Sequence, residues 1–401
     1  MGNVLIANGA TIDLNGHNLT LASVSADAIG ATITNSNDAV TSTVTFIAGE
    51  GEVVTNNGAA ICGNVKVVKK GPGTYYAYAN ACNYSGGTFI DEGKAQPPDG
   101  NGADTLYSYD QFKAFGTNEI IVASNAVFDI RANYAYRSRV VLAGGTLTNT
   151  KADMKQTGWG GSGIGRLTED STLNVAWNIV FGDNNGYGDM DLGGHTLTTI
   201  INSAGSYLYL RCAKIENGKI DITQGGWLQV VNACVATNVD FKVKCALNIG
   251  NTLSVRDYEA VWASNTKSHN AGTAALNVYG TFIPAAGQKF YGCTMQNGST
   301  IDLSGATGTF STLSYYTGGS TNIKFAANAN VTVNLAGRTD LRTIAKNKEL
   351  VMSWPEGLGP AANVTFQVDA ETKQSRFKIV RDDERNGLRL ARVSGAVIVV
   401  R

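Results

Sequence analysis

One ten-residue pattern constrains this chain more than any other feature: Thr11-Ile12-Asp13-Leu14-Asn15-Gly16-His17-Asn18-Leu19-Thr20 returns as Asp189-Met190-Asp191-Leu192-Gly193-Gly194-His195-Thr196-Leu197-Thr198. Thr300-Ile301-Asp302-Leu303-Ser304-Gly305 keeps its first half, and Val333-Asn334-Leu335-Ala336-Gly337-Arg338 is a weaker copy. Each copy reads strand, tight turn, strand, with apolar and polar residues alternating on either side of a glycine. Looser relatives fill the intervals, among them Ser171-Thr172-Leu173-Asn174-Val175, Gly218-Lys219-Ile220-Asp221-Ile222 and Asn251-Thr252-Leu253-Ser254-Val255. Such a unit cannot bury its own apolar face, so copies must stack.

Stacking also answers a problem of size. A single globular core stops growing at about 250–300 residues, whereas a solenoid lengthens without limit because its core is a column. For a chain of 401 residues with 47 glycines, 6 prolines and few helix-forming stretches, the expected fold is all-β, a right-handed parallel β-helix. A β-sandwich array and a β-propeller share its short strands. Sandwich domains carry buried tryptophans and proline-marked boundaries at regular intervals, and propellers repeat every 40–50 residues or so; neither pattern is present.

The tail reads differently. From Asn347 the strands lengthen, and Asn386-Gly387 separates Arg376-Phe377-Lys378-Ile379-Val380 from Leu388-Arg389-Leu390-Ala391-Arg392-Val393, the signal of a hairpin with a type I′ turn. Charges cluster from Arg381 to Arg385, where they suit a solvent-facing turn. Residues 1–346 are therefore expected to form the β-helix. Residues 347–401 are expected to form an antiparallel β cap over its last coil, with no further coils of their own.

The segment Val68-Lys69-Lys70-Gly71-Pro72-Gly73-Thr74-Tyr75-Tyr76, with Asn83-Tyr84-Ser85-Gly86-Gly87-Thr88 and Glu92-Gly93-Lys94-Ala95, resembles the autotransporter-associated β-strand repeat of bacterial surface-protein passenger domains. The resemblance rests on Gly71, Gly73, Thr74, Tyr84, Gly86, Gly87, Thr88 and Gly93, and departs from the family at Lys94-Ala95, where a small residue and leucine are usual. It implies a β-helix displayed outside the cell and does not imply catalysis, since many relatives are adhesins or stalks. The glycines suit corners that need positive φ or close backbone approach, and the two threonines suit strand starts.

Lysine plus arginine and aspartate plus glutamate number 32 each, so no net field draws nucleic acid or an anionic membrane. No apolar run is long enough to span a bilayer, and Met1-Gly2-Asn3 enters strand-like sequence without a signal peptide; an exported protein would have its signal outside this chain. The six cysteines include no Cys-x-x-Cys pair, which argues against a structural zinc site. Cys62 and Cys82, and Cys212 and Cys234, are each about one coil apart, which makes them candidate disulfides or buried thiols of neighbouring coils.

Candidate chemistry is sparse. His17 and His195 follow Asp-Leu-x-Gly in the repeat, but the equivalent positions hold Ala306 and Arg338, so a corner role is expected. Asp183 and Asp189, with Asp191 beside them, are the weak candidates for the carboxylate pair a polysaccharide-cleaving β-helix enzyme would need. No calcium loop, other metal site or cofactor motif is found. Aromatics at alternate positions beside cations are the better binding signal: Tyr134 and Tyr136 with Arg137 and Arg139, and Tyr207 and Tyr209 with Arg211. Residues two apart on a strand share a face, rings stack on sugars, and arginine chelates anions. The expectation is a non-enzymatic, extracellular or surface-displayed module, a stalk or adhesin that contacts glycans on a host or bacterial surface or associates with itself. The alternatives are a polysaccharide lyase or hydrolase on the same scaffold and an extracellular filament subunit.

Overall fold

The computed structural model describes residues 2–26, 30–77, 82–97, 114–130, 139–150, 158–159, 165–181, 189–202, 205–210, 214–224, 226–230, 234–243, 246–249, 252–260, 275–284, 292–316 and 319–393. The chain gathers into two compact units, Met1–Cys234 and Val235–Arg401. Both are built from parallel β-coils, as the repeat requires, and the tail belongs to the second.

In the first unit, Leu19–Leu21, Ser42–Ile47, Val65–Lys70, Thr88–Gln96, Ile120–Asp129, Val140–Ala143 and Arg166–Glu169 pair in parallel, each with the next. A second stack runs through Thr146–Thr148, Ser171–Val175, Thr196–Ile201 and Lys214–Gln224. A third contains Gly158–Trp159, Ile179–Phe181, Tyr207–Leu210 and Trp227–Val230. Coil length is not fixed. Ile120 stacks beside Val140, but Thr88 stacks beside Ile120, so loops of different length interrupt coils that remain in register.

Period-two alternation sets the faces. Along Ser42–Ile47 burial alternates strictly, with Val44 and Phe46 inside and Thr43 and Thr45 outside. Parallel pairing then lines like residues into columns: Val44 stands beside Leu19 on one side and Val67 on the other. Each fully buried aliphatic in such a column contributes about 1.5–3 kcal/mol.

The repeat pattern is a corner. Its leucines, Leu14, Leu192, Leu303 and Leu335, are all buried. The residue before each takes up a backbone N–H two positions on: Asp13 from Asn15 at 3.0 Å, Asp191 from Gly193 at 2.9 Å, Asp302 from Ser304 at 2.9 Å and Asn334 from Ala336 at 3.2 Å. That is an Asx turn, which a short carboxylate or amide makes with its own backbone. The leucine carbonyl then accepts the N–H of His17, His195, Ala306 or Arg338. Histidine at this position contributes only its backbone to the turn, which is why alanine or arginine replaces it.

The passenger-like segment is a second kind of corner. Strands begin at Thr74 and Thr88. A Cβ on Gly73 would collide with the carbonyl oxygens of Gly49 and Glu52, and one on Gly93, at φ 72°, with those of Gly71 and Gly73; three successive coils meet there through bare backbone. Tyr84 is buried with its hydroxyl 2.6 Å from Thr88 Oγ1. Thr88 Oγ1 itself donates to the Phe115 carbonyl at 2.9 Å, so the tyrosine is the donor of the pair.

Inside this corner lies an unexpected charge. Lys69 is fully buried in line with Phe46 and Ile90, and its Nζ donates to the carbonyls of Lys70 at 2.9 Å, Gly71 at 2.5 Å and Glu92 at 3.0 Å. Burial pushes the amine down to about 8, with the Glu92 carboxylate acting in the opposite direction. Between that value and the ~10.5 of an unfolded lysine the unfolded chain binds more protons, so this group's contribution to stability rises with pH in that window. The buried thiols of Cys82 and Cys293, pushed up by desolvation, act oppositely as pH passes ~9. The expected result is therefore differential: the stability advantage of the natural protein over Lys69→Met should widen from pH 8 to 10 in paired thermal melts. A gap that narrows would mean the carbonyl cage keeps the ammonium charged.

The second unit continues the same construction. Asp257–Ala260, Thr281–Ile283, Thr300–Asp302 and Asn330–Asn334 stack in parallel. Thr365–Val368 then adds another parallel strand to Asn330–Asn334. That corrects the expectation that nothing past Asn347 would coil: Val331 and Val333 carry an apolar column that continues against Phe366 and Val368. The antiparallel cap follows. Phe377–Asp382 pairs with Gly387–Arg392, which also pairs antiparallel with Leu350–Ser353. The connecting turn is longer than the Asn-Gly signal indicated, because Asp382 pairs with Gly387 and leaves residues 383–386 outside the ladder. The Asp382 carboxylate explains the extension: it takes up the Arg385 backbone N–H at 3.2 Å and its guanidinium at 2.6 Å. Asn386 still has positive φ. Two short helices, Leu341–Asn347 and Ala370–Gln374, and a hairpin of Leu313–Tyr316 with Gly319–Asn322 complete the unit.

Candidate functional site

The outer face of the third stack in the first unit carries a group of partly exposed, stacked aromatics. Along Tyr207–Leu210 burial alternates, so Leu208 and Leu210 fill the interior while Tyr207 and Tyr209 point outward and are partly exposed. Trp227–Val230 repeats the pattern one coil on, with Tyr207 beside Trp227 and Tyr209 beside Gln229. The rings lie nearly parallel: Tyr207 to Tyr209 centroids are 5.3 Å apart at 24°, and Tyr207 to Trp227 centroids 5.9 Å apart at 18°. Offset stacking at these distances is favourable and holds the side chains in place before any ligand arrives. On the preceding coil Asn178 Oδ1 accepts the Tyr207 N–H at 2.9 Å, and Trp177 beside it remains 37% exposed.

Of the residues expected here from sequence, Tyr207 and Tyr209 are thus brought together, while Arg211 lies outside the described residues. Tyr134, Tyr136 and Arg137 also lie outside them; Arg139 is exposed, and its carbonyl accepts the Ile120 N–H in the coil stack. Trp227 was missed. Its signal was available, since Trp227-Leu228-Gln229-Val230 repeats the aromatic-leucine alternation of Tyr207-Leu208-Tyr209-Leu210 one coil later.

The carboxylate candidates are less concentrated. Asp183 lies outside the described residues. Asp189 is exposed at the start of Asp189–Asp191 and stands beside Lys214 in the next coil, while Asp191 stands beside Glu216. Lys214 is itself paired with Glu216 at 2.7 Å, a contact that raises the lysine's pKa. Asp191 is committed to its corner by Gly193 N and, at 3.3 Å, by Asn217 Nδ2. His195 approaches Asp170 at 3.7 Å on the surface. Among the described residues no group of three or more histidines, cysteines, aspartates or glutamates is placed to hold a metal ion.

Of the two alternatives for the first cysteine pair, a disulfide or two thiols, the second holds: Cys62 and Cys82 are thiols, as is Cys293. Cys212 lies outside the described residues, and the Cys212–Cys234 pair with it. Cys62 and Cys82 are on neighbouring coils, but Asn83 N donates to the Ile61 carbonyl, which puts Asn83 beside Cys62 and Cys82 beside Ile61. A one-residue offset on a strand turns a side chain to the opposite face. Cys82 accordingly points inward, fully buried, with Ile61 N donating to its sulfur at 3.3 Å and burial pushing its thiol up to about 12, whereas Cys62 is partly exposed.

The fold defines the class: a parallel β-solenoid protein whose last strands form an antiparallel cap. Compared with family models, curated proteins and solved structures, the chain matches none of them.

Proposed function

We propose that the chain is a non-enzymatic, passenger-type module, secreted or displayed at a cell surface, that serves as a stalk or adhesin and contacts glycans. The observation that carries this reading is the aromatic cluster of Tyr207, Tyr209 and Trp227, three near-parallel rings held partly exposed on a sheet face. Rings of this kind bind the C–H faces of sugars, and a rigid backbone frame spares the ordering cost of binding. The corner built from Gly73, Tyr84, Thr88 and Gly93 supports the passenger resemblance, because the residues that carry that resemblance are the ones that close the coils.

The discriminating experiment incubates the protein with mucin glycans, polyuronates, sulfated polysaccharides and neutral β-glucans, and follows both retention and product release. Retention without release is expected, and replacing Tyr207, Tyr209 and Trp227 together by alanine should abolish it. Reproducible turnover removed by Asp183→Asn or Asp189→Asn would replace this reading with a polysaccharide-active enzyme.

A further inference from the structure

We propose that Asn8 and Asn57 are sites of spontaneous deamidation to isoaspartate, and that the stacked coils protect the other Asn-Gly pairs of the described residues from the same reaction. In this chemistry solvent hydroxide removes the proton of the glycine N–H, and the nitrogen attacks the asparagine Cγ. A C–N bond forms, the Cγ–Nδ2 bond breaks and ammonia leaves; water then opens the succinimide to aspartate or isoaspartate. Glycine permits the attack because no Cβ hinders it. What varies along this chain is whether the glycine N–H and the asparagine amide are free to meet.

Six Asn-Gly pairs lie within the described residues, and four of them are held. Gly16 N donates to Oδ1 of the buried Asn35 on the next coil at 2.8 Å. Gly298 N donates to the Asn330 carbonyl at 2.9 Å, while Asn297 Oδ1 accepts the Asn330 N–H at 2.9 Å. Asn217 Nδ2 reaches Asp191 at 3.3 Å, and the Gly218 backbone packs so closely that a Cβ there would collide with the His195 carbonyl. Gly387 lies in the antiparallel ladder between Asp382 and Ser353. Asn8 and Asn57 differ. Both are exposed, and neither their side chains nor the N–H groups of Gly9 and Gly58 have a hydrogen-bond partner among the described residues. Asn8-Gly9 is the tip of a tight turn in which Ala10 N donates to the Ala7 carbonyl at 3.0 Å. Gly58 follows the last residue of Val53–Asn57 at φ 84°.

Both pairs feed core strands. Thr11–Asp13 and Ala60–Ile61 flank Thr32–Thr34 in parallel, with Ala59 and Ile61 fully buried. Isoaspartate routes the main chain through Cβ, so each conversion adds a backbone atom just ahead of a strand whose faces depend on register.

The test ages the full chain at mildly alkaline pH and maps its peptides by mass, with isoaspartate read by enzymatic methylation of its α-carboxyl. A sample unfolded in urea gives the rate of each pair with no fold to protect it. In the folded protein Asn8 and Asn57 should convert at close to their unfolded rates. Asn15, Asn217, Asn297 and Asn386 should be slowed by about tenfold or more, since each must first break hydrogen bonds or packing. Asn8→Gln and Asn57→Gln should remove the methylation of their own peptides, because the larger ring closes far more slowly. Folded protein in which Asn8 and Asn57 are as slow as the other four would overturn the proposal. So would conversion of all six at their unfolded rates, which would show that the coils give no protection.

Discussion

Removing residues 347–401 should make the protein aggregate and lose cooperative melting relative to the full chain. The cut takes away the parallel strand Thr365–Val368 and the antiparallel Leu350–Ser353, Phe377–Asp382 and Gly387–Arg392. Val331, Val333 and Leu335, all fully buried, would lose their cover on the side of the cut, and the edge of Asn330–Asn334 that Thr365–Val368 pairs with would open. At about 1.5–3 kcal/mol for each aliphatic, three such exposures approach the ~5–15 kcal/mol that holds a domain folded. An unpaired edge of this kind also templates association. Light scattering and thermal melts of the truncated chain decide the matter. A truncated protein that keeps the parent's scattering and melting profile would make the tail an appendage.

The second large effect should come from Lys69→Met. Methionine matches the length of the lysine stem, so it leaves no large cavity, but it removes the cation from the carbonyls of Lys70, Gly71 and Glu92. Leaving buried acceptors without their charged donor costs about 2–4 kcal/mol. At roughly 2–4 °C per kcal/mol for a unit of this size, the melting midpoint should fall by about 5–15 °C. An unchanged or raised midpoint would show that apolar burial outweighs the lost hydrogen bonds at this corner and that the lysine is not a clamp.

Much of the architecture was legible because its signals are local. Thr11–Asp13, Asp189–Asp191 and Thr300–Asp302 are strands as their alternation required, and the Asp-Leu-x-Gly turn is a corner because an aspartate can cap its own backbone. What escaped depends on distance in sequence. The continuation of the coils to Thr365–Val368 is set by the column of Val331 and Val333, and nothing within the strand itself announces it. The separation of Cys62 from Cys82 turns on a single residue of register between neighbouring coils. Nothing near Lys69 announces its burial, because a lysine in an alternating strand normally points outward. The pairing of Tyr207 with Tyr209 could be read from one strand, but the third ring required knowing which coil lies next.

That buried lysine also bears on how a chain of similar coils finds a single arrangement. Leu21, Phe46, Lys69 and Ile90 succeed one another in one interior column, and only one of the four is charged. A chain that stacked one repeat out of step would still place apolar groups against apolar groups almost everywhere, at little energetic difference. It would, however, bring the ammonium opposite a corner without the bare-backbone approach of Gly71, Gly73 and Gly93, where its hydrogen bonds could not all be met. The lysine thus acts as an index mark: a single costly mismatch that tells correct stacking from its shifted copies, in a protein whose repetition would otherwise make them nearly interchangeable.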